Sequence, residues 1–377
     1  MKYALTFLVV VASLSSIADS AALEYVCTPA KLRWPNVPSA CRAFDLEVYH
    51  DRVYVGSGDY DNNAGPCYML AVDPYYSACT NEFAAGTEAT ETIRTFSDGR
   101  LYVPATDHMD TGSYPNGFWF RKELDGTWGS HRGIPGGVTG YLNVHNWDMQ
   151  EFDGWIFSGG YGIAGSSDWG EKWTDVAPKA TLARGYTVYS AILNGKPYDN
   201  KLLTISSKYE YRFTAFLTVG DEFYCLPKNR YYFDQGYPKM PDGRTVSEWN
   251  PPTIWHWDPS AHVFNCESNS WANIAPDLTP EDFALITTNV FPSTGSNYQL
   301  LDTWHATKFK DRCLYVVSRV YRPIAAMCAY LENGELRARR VALPAGTWPR
   351  DITVFGDLLC DHSGLRGGHQ RLCHVLY

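Results

Sequence analysis

Three stretches of this chain repeat one another, and the repeat limits the fold more than any other feature. "FDLEVYHDRVYVGSGDY" starts at Phe44, "WDMQEFDGWIFSGGYG" at Trp147 and "WHATKFKDRCLYVVSR" at Trp304. Each begins with an aromatic residue and runs through a short alternating strand, an Asp-Arg or Asp-Gly turn and a second apolar strand. That order is the signature of a tight β-hairpin. Shorter relatives are "TIRTFSDGRLYVPATDH", ending at His108, and "RDITVFGDLLCDHSG", starting at Arg350.

The repeat starts fall near residues 45, 92, 148, 305 and 351. The long gap holds three units of roughly 50 residues, the size of a four-stranded propeller blade. The spacing therefore predicts an all-β chain built as a seven-bladed β-propeller. Residues 185–300 are less regular, and six blades plus an insertion is the alternative. Tyr 26, Phe 17, Trp 13, Gly 31 and Pro 22 suit many short strands joined by tight turns. The last unit is short. A strand from "EYVCTPAKLRW" is expected to complete its sheet, so that residues 23–377 form a single domain with no open edge.

Lys2, the apolar run "ALTFLVVVASL" and the small-residue stretch "SIADSAA" read as a secretory signal over residues 1–22. No later stretch is apolar enough to span a bilayer as a helix. The expectation is a secreted, extracellular protein without a membrane span and, for want of an Asn-x-Ser/Thr sequon beyond the signal, without an N-glycan. Export implies an oxidising environment for the ten cysteines. Hairpin-like spacing pairs Cys27 with Cys41, Cys67 with Cys79, Cys313 with Cys328 and Cys360 with Cys373, leaving Cys225 for Cys266. The predicted propeller is thus stapled by disulfides. A net charge of −9 with both signs dispersed argues against nucleic acid as a partner, while leaving room for a local basic cleft.

The segment "GSSDWGEKWT" carries Ser166-x-Asp168-x-Gly170-x-x-Trp173 and resembles the Asp-box of sialidase-type β-propellers. The resemblance implies a structural turn between the third and fourth strands of a blade, remote from any active site. Asp168 would accept turn amides, Gly170 would take a positive φ, and Trp173 would pack beneath. Sialidase chemistry needs an Arg-Ile-Pro motif, and "HRGIPGG" interrupts it at Gly133.

In a propeller, the loops before the first strand and after the second strand of each blade line one end of the channel. That map gathers Asp148, His145, Trp147, Trp304 and His305 with Asp59, Tyr60, Asp61, Asn63, His108, Tyr161, Arg319, Arg322 and His362. Four histidines thereby arrive from four units. Three readings stay open: ordinary loop residues with strand-capping aspartates, ligands of a divalent transition metal, or a general base with an acid-neutralising partner. "DYDNNAG" at 59–65 alternates oxygen donors, but Ala64 stands where a calcium loop wants Gly, so a polar ligand-facing turn is expected.

By architecture and residue palette the chain resembles propeller polysaccharide lyases. That resemblance implies His108 and His145 as acid-neutralising or base residues and Arg319 or Arg322 as the clamp on a uronate carboxylate. Tyr60, Trp147, Tyr161 and Trp304 would offer faces for sugar rings. The alternative is a non-catalytic glycan-binding or matrix protein.

Overall fold

The computed structural model describes residues 42–58, 65–73, 78–108, 117–135, 145–160, 162–177, 192–193, 196–197, 207–233, 254–266, 286–288, 296–299, 301–319, 322–343, 347–355, 358–365 and 371–376. For residues 347–376 and for several strand ends the description is of backbone alone. The signal segment, the closing N-terminal strand, and Cys27 and Cys41 lie outside the described residues.

The fold is all-β, a series of antiparallel meanders laid down in chain order. The first sheet is β1 (Arg42–Tyr49), β2 (Arg52–Gly58), β3 (Cys67–Asp73) and β4 (Ala78–Ala85). A connecting strand β5 (Thr87–Ala89) leads to β6 (Arg94–Thr95) and β7 (Leu101–Pro104), then β8 (Thr106–His108), β9 (Gly117–Lys122) and β10 (Trp128–Ile134). Strands β6, β7, β9 and β10 make the second sheet, while β5 pairs with the end of β2 and with β8, extending the first sheet to six strands. The third is β11 (Asp148–Phe152), β12 (Trp155–Gly159), β13 (Ile163–Ser166) and β14 (Thr174–Asp175).

After a short pair, β15 (Ile192–Leu193) with β16 (Lys196–Pro197), come the long β17 (Ser207–Val219) and β18 (Glu222–Phe233). They form the fourth sheet with β19 (Trp255–Asp258) and β20 (Val263–Cys266), and their far ends add β22 (Ser296–Gln299) and β21 (Ile286–Thr288). The fifth is β23 (Leu301–Phe309), β24 (Arg312–Arg319), β25 (Arg322–Glu332) and β26 (Glu335–Arg340). The sixth has three strands, β27 (Thr347–Phe355), β28 (Leu358–Leu365) and β29 (Arg371–Leu376).

The repeats are hairpins for a local reason. Phe152 pairs with Trp155 across Asp153 and Gly154, whose φ values of 49° and 73° are the positive pair a two-residue turn requires. Asn333 and Gly334 do the same between Glu332 and Glu335, with φ of 54° and 79°.

Successive sheets pack face to face, so their strands are apolar on both sides. Along β7, Leu101 and Val103 join Tyr49, Tyr54 and Met69 of the first sheet, while the intervening Tyr102 joins Met149 and Ile156 of the third. Phe157, Phe216, Phe223, Trp257 and Phe264 form an aromatic layer between the third and fourth sheets. Leu217, Tyr224 and Leu226 meet Tyr315, Val317 and Met327 between the fourth and fifth. Burying both faces of the second, third and fourth sheets is what lets such thin units stand.

Among the described residues there are six meanders. The described part of the span from 177 to 300 holds the short β15–β16 pair and the extended β17–β18 hairpin with its added strands.

The predicted staples fail where they can be read. Cys67 sits opposite Ala85 and Cys79 opposite Val72, five positions apart along the pair, so these two do not bridge each other. Cys225 and Cys266 both pair with Trp255, from its two sides, which places them two strand spacings apart, about 10 Å. Cys313 and Cys328 are one position out of register and lie on opposite faces, Cys313 toward Tyr315 and Cys328 beside Leu314 and Val316. A disulfide needs Cα atoms within about 7 Å and Cβ vectors that converge. The side chains of Cys360 and Cys373 lie outside the described residues.

Candidate functional site

A relay of hydrogen bonds joins five sheets at one end. Gly58 at the end of β2 pairs with Ala89, and Thr90 N donates to Ser57 O at 2.9 Å. Ala89 pairs with Thr106, and Thr106 forms a bridge with His145. Asn146 N donates to Ala105 O at 3.0 Å, Trp147 N to Gly159 O at 2.8 Å and Phe213 N to Gly160 O at 2.9 Å. Thr214 Oγ1 then donates to Thr303 O at 3.1 Å. The segments before first strands and after second strands thus meet at a common end.

Two glycines permit this approach. A Cβ on Gly58 would lie 2.6 Å from Ala89 Cβ, and one on Gly159 would lie 2.5 Å from the Phe213 carbonyl oxygen. Bulges recur on the first strands between Ala43 and Leu46, Phe213 and Ala215, Trp304 and Thr307, and Pro349 and Asp351. A bulge adds a residue and re-aims the strand where the sheets converge.

His145 is half-buried and stacks on Trp147, ring centroids 5.1 Å apart at 25°. Asn146, fully buried, anchors the segment. Its Nδ2 donates to Phe118 O at 3.1 Å, its carbonyl accepts Thr106 Oγ1 at 3.0 Å, and Oδ1 accepts Ser158 Oγ at 3.4 Å. His108 pairs with Thr87, two positions beyond the Thr106 bridge to His145, so the two histidines occupy neighbouring register positions.

Asp148 and Trp147 are buried. Asp148 Oδ2 accepts Phe216 N at 3.3 Å, and Oδ1 lies 3.3 Å from Arg94 Nη2. Arg94 Nη1 donates to Asp45 Oδ2 at 2.8 Å, and the same oxygen accepts Ile93 N. Burial pushes the Asp148 carboxyl above its ordinary value against the pull of Arg94. These aspartates tie first strands of neighbouring sheets, the strand-capping role that composed one of the three readings. Arg94 was not singled out by the sequence, since nothing in "TIRTF" marks it as the partner of carboxylates 49 residues before it and 54 after.

His305 lies in the β23 bulge with φ of 50°. Arg319 and Arg322 pair across the β24–β25 turn, and Arg319 also pairs with Leu301. His362 pairs with Asp351 in the sixth sheet. For His108, Trp304, Arg319, Arg322 and His362 the description is of backbone. Asp59, Tyr60, Asp61, Asn63 and Tyr161 lie outside the described residues. Among the described residues no group of three or more His, Cys, Asp or Glu side chains is placed to hold a metal, and no helix is long and apolar enough to cross a membrane.

The turn at Ser166–Trp173 stands apart from this end. Ser166 Oγ donates to Asp168 Oδ1 at 2.8 Å, and Asp168 Oδ1 accepts Lys172 N at 2.8 Å. Gly170 N donates to Ser166 Oγ at 2.9 Å, with φ of 88°. Arg121 Nη1 donates to Trp169 O at 3.0 Å, docking the turn on the second sheet.

No protein-family model matches the chain. No curated protein matches it either. Among solved structures, it is similar to the extracellular domain of a putative one component system from B. thetaiotaomicron, at 9% identity and a TM-score of 0.35, covering 86% of this chain and 38% of that one. YCF48 from Cyanidioschyzon merolae gives 11% identity and a TM-score of 0.37, with 87% and 94% covered. A putative oxidoreductase (glucose dehydrogenase) from Thermus thermophilus gives 12% and 0.42, with 89% and 96% covered. At these scores the likenesses carry no statement about function.

Proposed function

We propose that the six meanders close into a β-propeller and that the protein is secreted and engages extracellular polysaccharide at the relay end, as a lyase of uronate-containing chains. The observation that carries this reading is the relay itself, which brings the His108 and His145 segments side by side at the end that also bears Arg319 and Arg322. In the proposed reaction an arginine fork takes the uronate carboxylate. A histidine removes the proton from the carbon beside that carboxyl, and the electron pair forms a double bond as the glycosidic oxygen leaves with a proton from the second histidine.

Incubation of the purified protein with ulvan, pectate and alginate tests this. Absorbance near the ultraviolet edge rises if the unsaturated product forms, and the rise disappears in His145→Ala. No change with any of the three removes the lyase reading for those substrates.

The burial of Trp147 and Asp148 favours a second reading, a non-catalytic glycan-binding or matrix protein, because two residues of the expected site are spent on holding sheets together. Glycan-array binding without turnover, unchanged in His145→Ala, is its expected result.

A further inference from the structure

The β17–β18 hairpin runs past the relay. Phe213 and Thr214 make the relay contacts, while Ser207–Arg212 and Lys228–Phe233 continue beyond them as paired strands. Arg230 to Phe233 then pair with Gln299 to Ser296, and β21 adds a fourth strand. The result is a small arm of sheet standing at the end that bears His108, His145, Arg319 and Arg322.

Register sorts the arm into two unlike faces, because directly opposed residues share a side and neighbours along a strand alternate. Tyr209, Tyr231 and Tyr298 fall in one row across three strands. The other face carries Lys208 opposite Tyr232, Glu210 opposite Arg230, and Arg212 opposite Lys228. Four cations stand against one carboxylate there, in a chain whose net charge is −9. Like charges placed directly opposite each other destabilise a strand pair. Arg212 and Lys228 hold directly opposed register positions, where an anion lying over that face would offset the juxtaposition of two cations. The arm also continues toward the fifth sheet. Arg230 pairs with Gln299, and two residues further on Leu301 pairs with Arg319, itself paired with Arg322.

We propose that this basic face of the arm, with Lys208, Arg212, Lys228 and Arg230, is a binding platform for an anionic polysaccharide chain that extends from the relay end. The proposal rests on the glycan-engaging reading above but does not need the lyase chemistry. Charge complementarity selects the occupant. The cations are spaced along two strands, as a polymer with regularly repeated carboxylates or sulfates requires, and the rest of the acidic molecule repels such a polymer. Guanidinium groups at two of the four positions suit forked contact with carboxylate or sulfate oxygens.

The test measures affinity of the full chain for polygalacturonate and for dextran sulfate, which lacks uronate, against uncharged dextran. The triple variant Arg212→Gln, Lys228→Gln, Arg230→Gln is compared with wild type and with Arg337→Gln, a surface change on β26. Circular dichroism and the thermal midpoint establish that each is folded. The expected result is at least a tenfold loss for both anionic polymers and a weaker salt dependence in the triple variant, with Arg337→Gln unchanged. Equal affinity of the triple variant and wild type, or wild type that binds neither polymer, overturns the proposal. Arm-dependent binding of both polymers without turnover of polygalacturonate keeps the platform and discards the lyase.

Discussion

Arg94 holds Asp148 across the boundary between the second and third sheets, Nη2 to Oδ1 at 3.3 Å, while its other nitrogen holds Asp45 of the first. One guanidinium thus compensates two buried carboxylates. Arg94→Met leaves both charges uncompensated and is expected to cost about 3 kcal/mol or more. Asp148→Asn keeps an acceptor for Phe216 N and removes a buried charge, so its cost at neutral pH is expected below about 1 kcal/mol. Urea melts of the two variants check the order.

The sign of the pH dependence follows from Asp148. Its folded value is raised, so the folded state holds the proton more tightly than the unfolded chain. The stability this group contributes is present below the ordinary carboxylate range and is lost as pH rises through the folded value. Stability of wild type relative to Asp148→Asn is therefore expected to improve on acidification through that window. An unchanged difference between them from neutral to acid pH would show that the carboxyl is not desolvated.

Gly170 and Gly126 offer a matched pair for the turn at Ser166–Trp173. Both have positive φ, 88° and 87°, but a Cβ on Gly170 would lie 2.5 Å from Trp119 whereas one on Gly126 meets nothing within 4 Å. Gly126→Ala is expected to cost about 1 kcal/mol, the backbone penalty alone. Gly170→Ala adds overpacking against a buried indole, about 1–3 kcal/mol further. Equal thermal shifts for the two would remove the docking of this turn on the second sheet.

What was legible in the sequence was local. Asp153-Gly154 announces a two-residue turn because positive φ at both positions is chemistry of those residues alone, and the continuous apolar runs of β7 and β24 mark strands without knowledge of neighbours. The map that carries the His108 and His145 segments to one end needs only the alignment of hairpins, and the backbone bridge of Thr106 with His145 brings those segments together. Trp147 and Asp148, expected to line the channel end, are buried, because burial depends on Arg94 and Phe216, far away in the chain. The arm beyond the relay was not legible as an arm. The sequence marks residues 185–300 only as less regular, and the pairing of Arg230 with Gln299 is what shows that these strands outrun the sheet.

His131 stacks on Trp119, centroids 4.3 Å apart at 18°, with its Nε2 3.7 Å from Glu123 Oε1. Burial and then the charge of Arg121 hold its imidazole below the ordinary histidine value. A lowered base is neutral in the folded state, so its contribution is present above the ordinary histidine value and is lost as pH falls toward the folded one. His131→Phe keeps a ring on Trp119 and removes the proton. The variant is expected to flatten the stability loss between neutral and mildly acid pH, followed by thermal melts at stepped pH. A slope equal to that of wild type would assign the loss to other groups.

Hairpin spacing predicted a Cys313–Cys328 staple, and it failed because spacing fixes distance along a hairpin but not parity. Cys313 opposes Ala329 and Cys328 opposes Leu314, so an offset of one residue sends the two sulfurs to opposite faces. Both thiols are free and buried, as is Cys225. Burial pushes the Cys313 thiol up to about 12, which leaves almost no thiolate to react at neutral pH. A thiol reagent applied to the native protein is expected to leave these three cysteines unmodified and to label them fully in denaturant. Peptide mapping without reduction is expected to recover Cys313 and Cys328 in separate, uncrosslinked fragments. A crosslinked pair would require β25 to slip by one position against β24, carrying Met327 out of the core it shares with Leu217 and Tyr315.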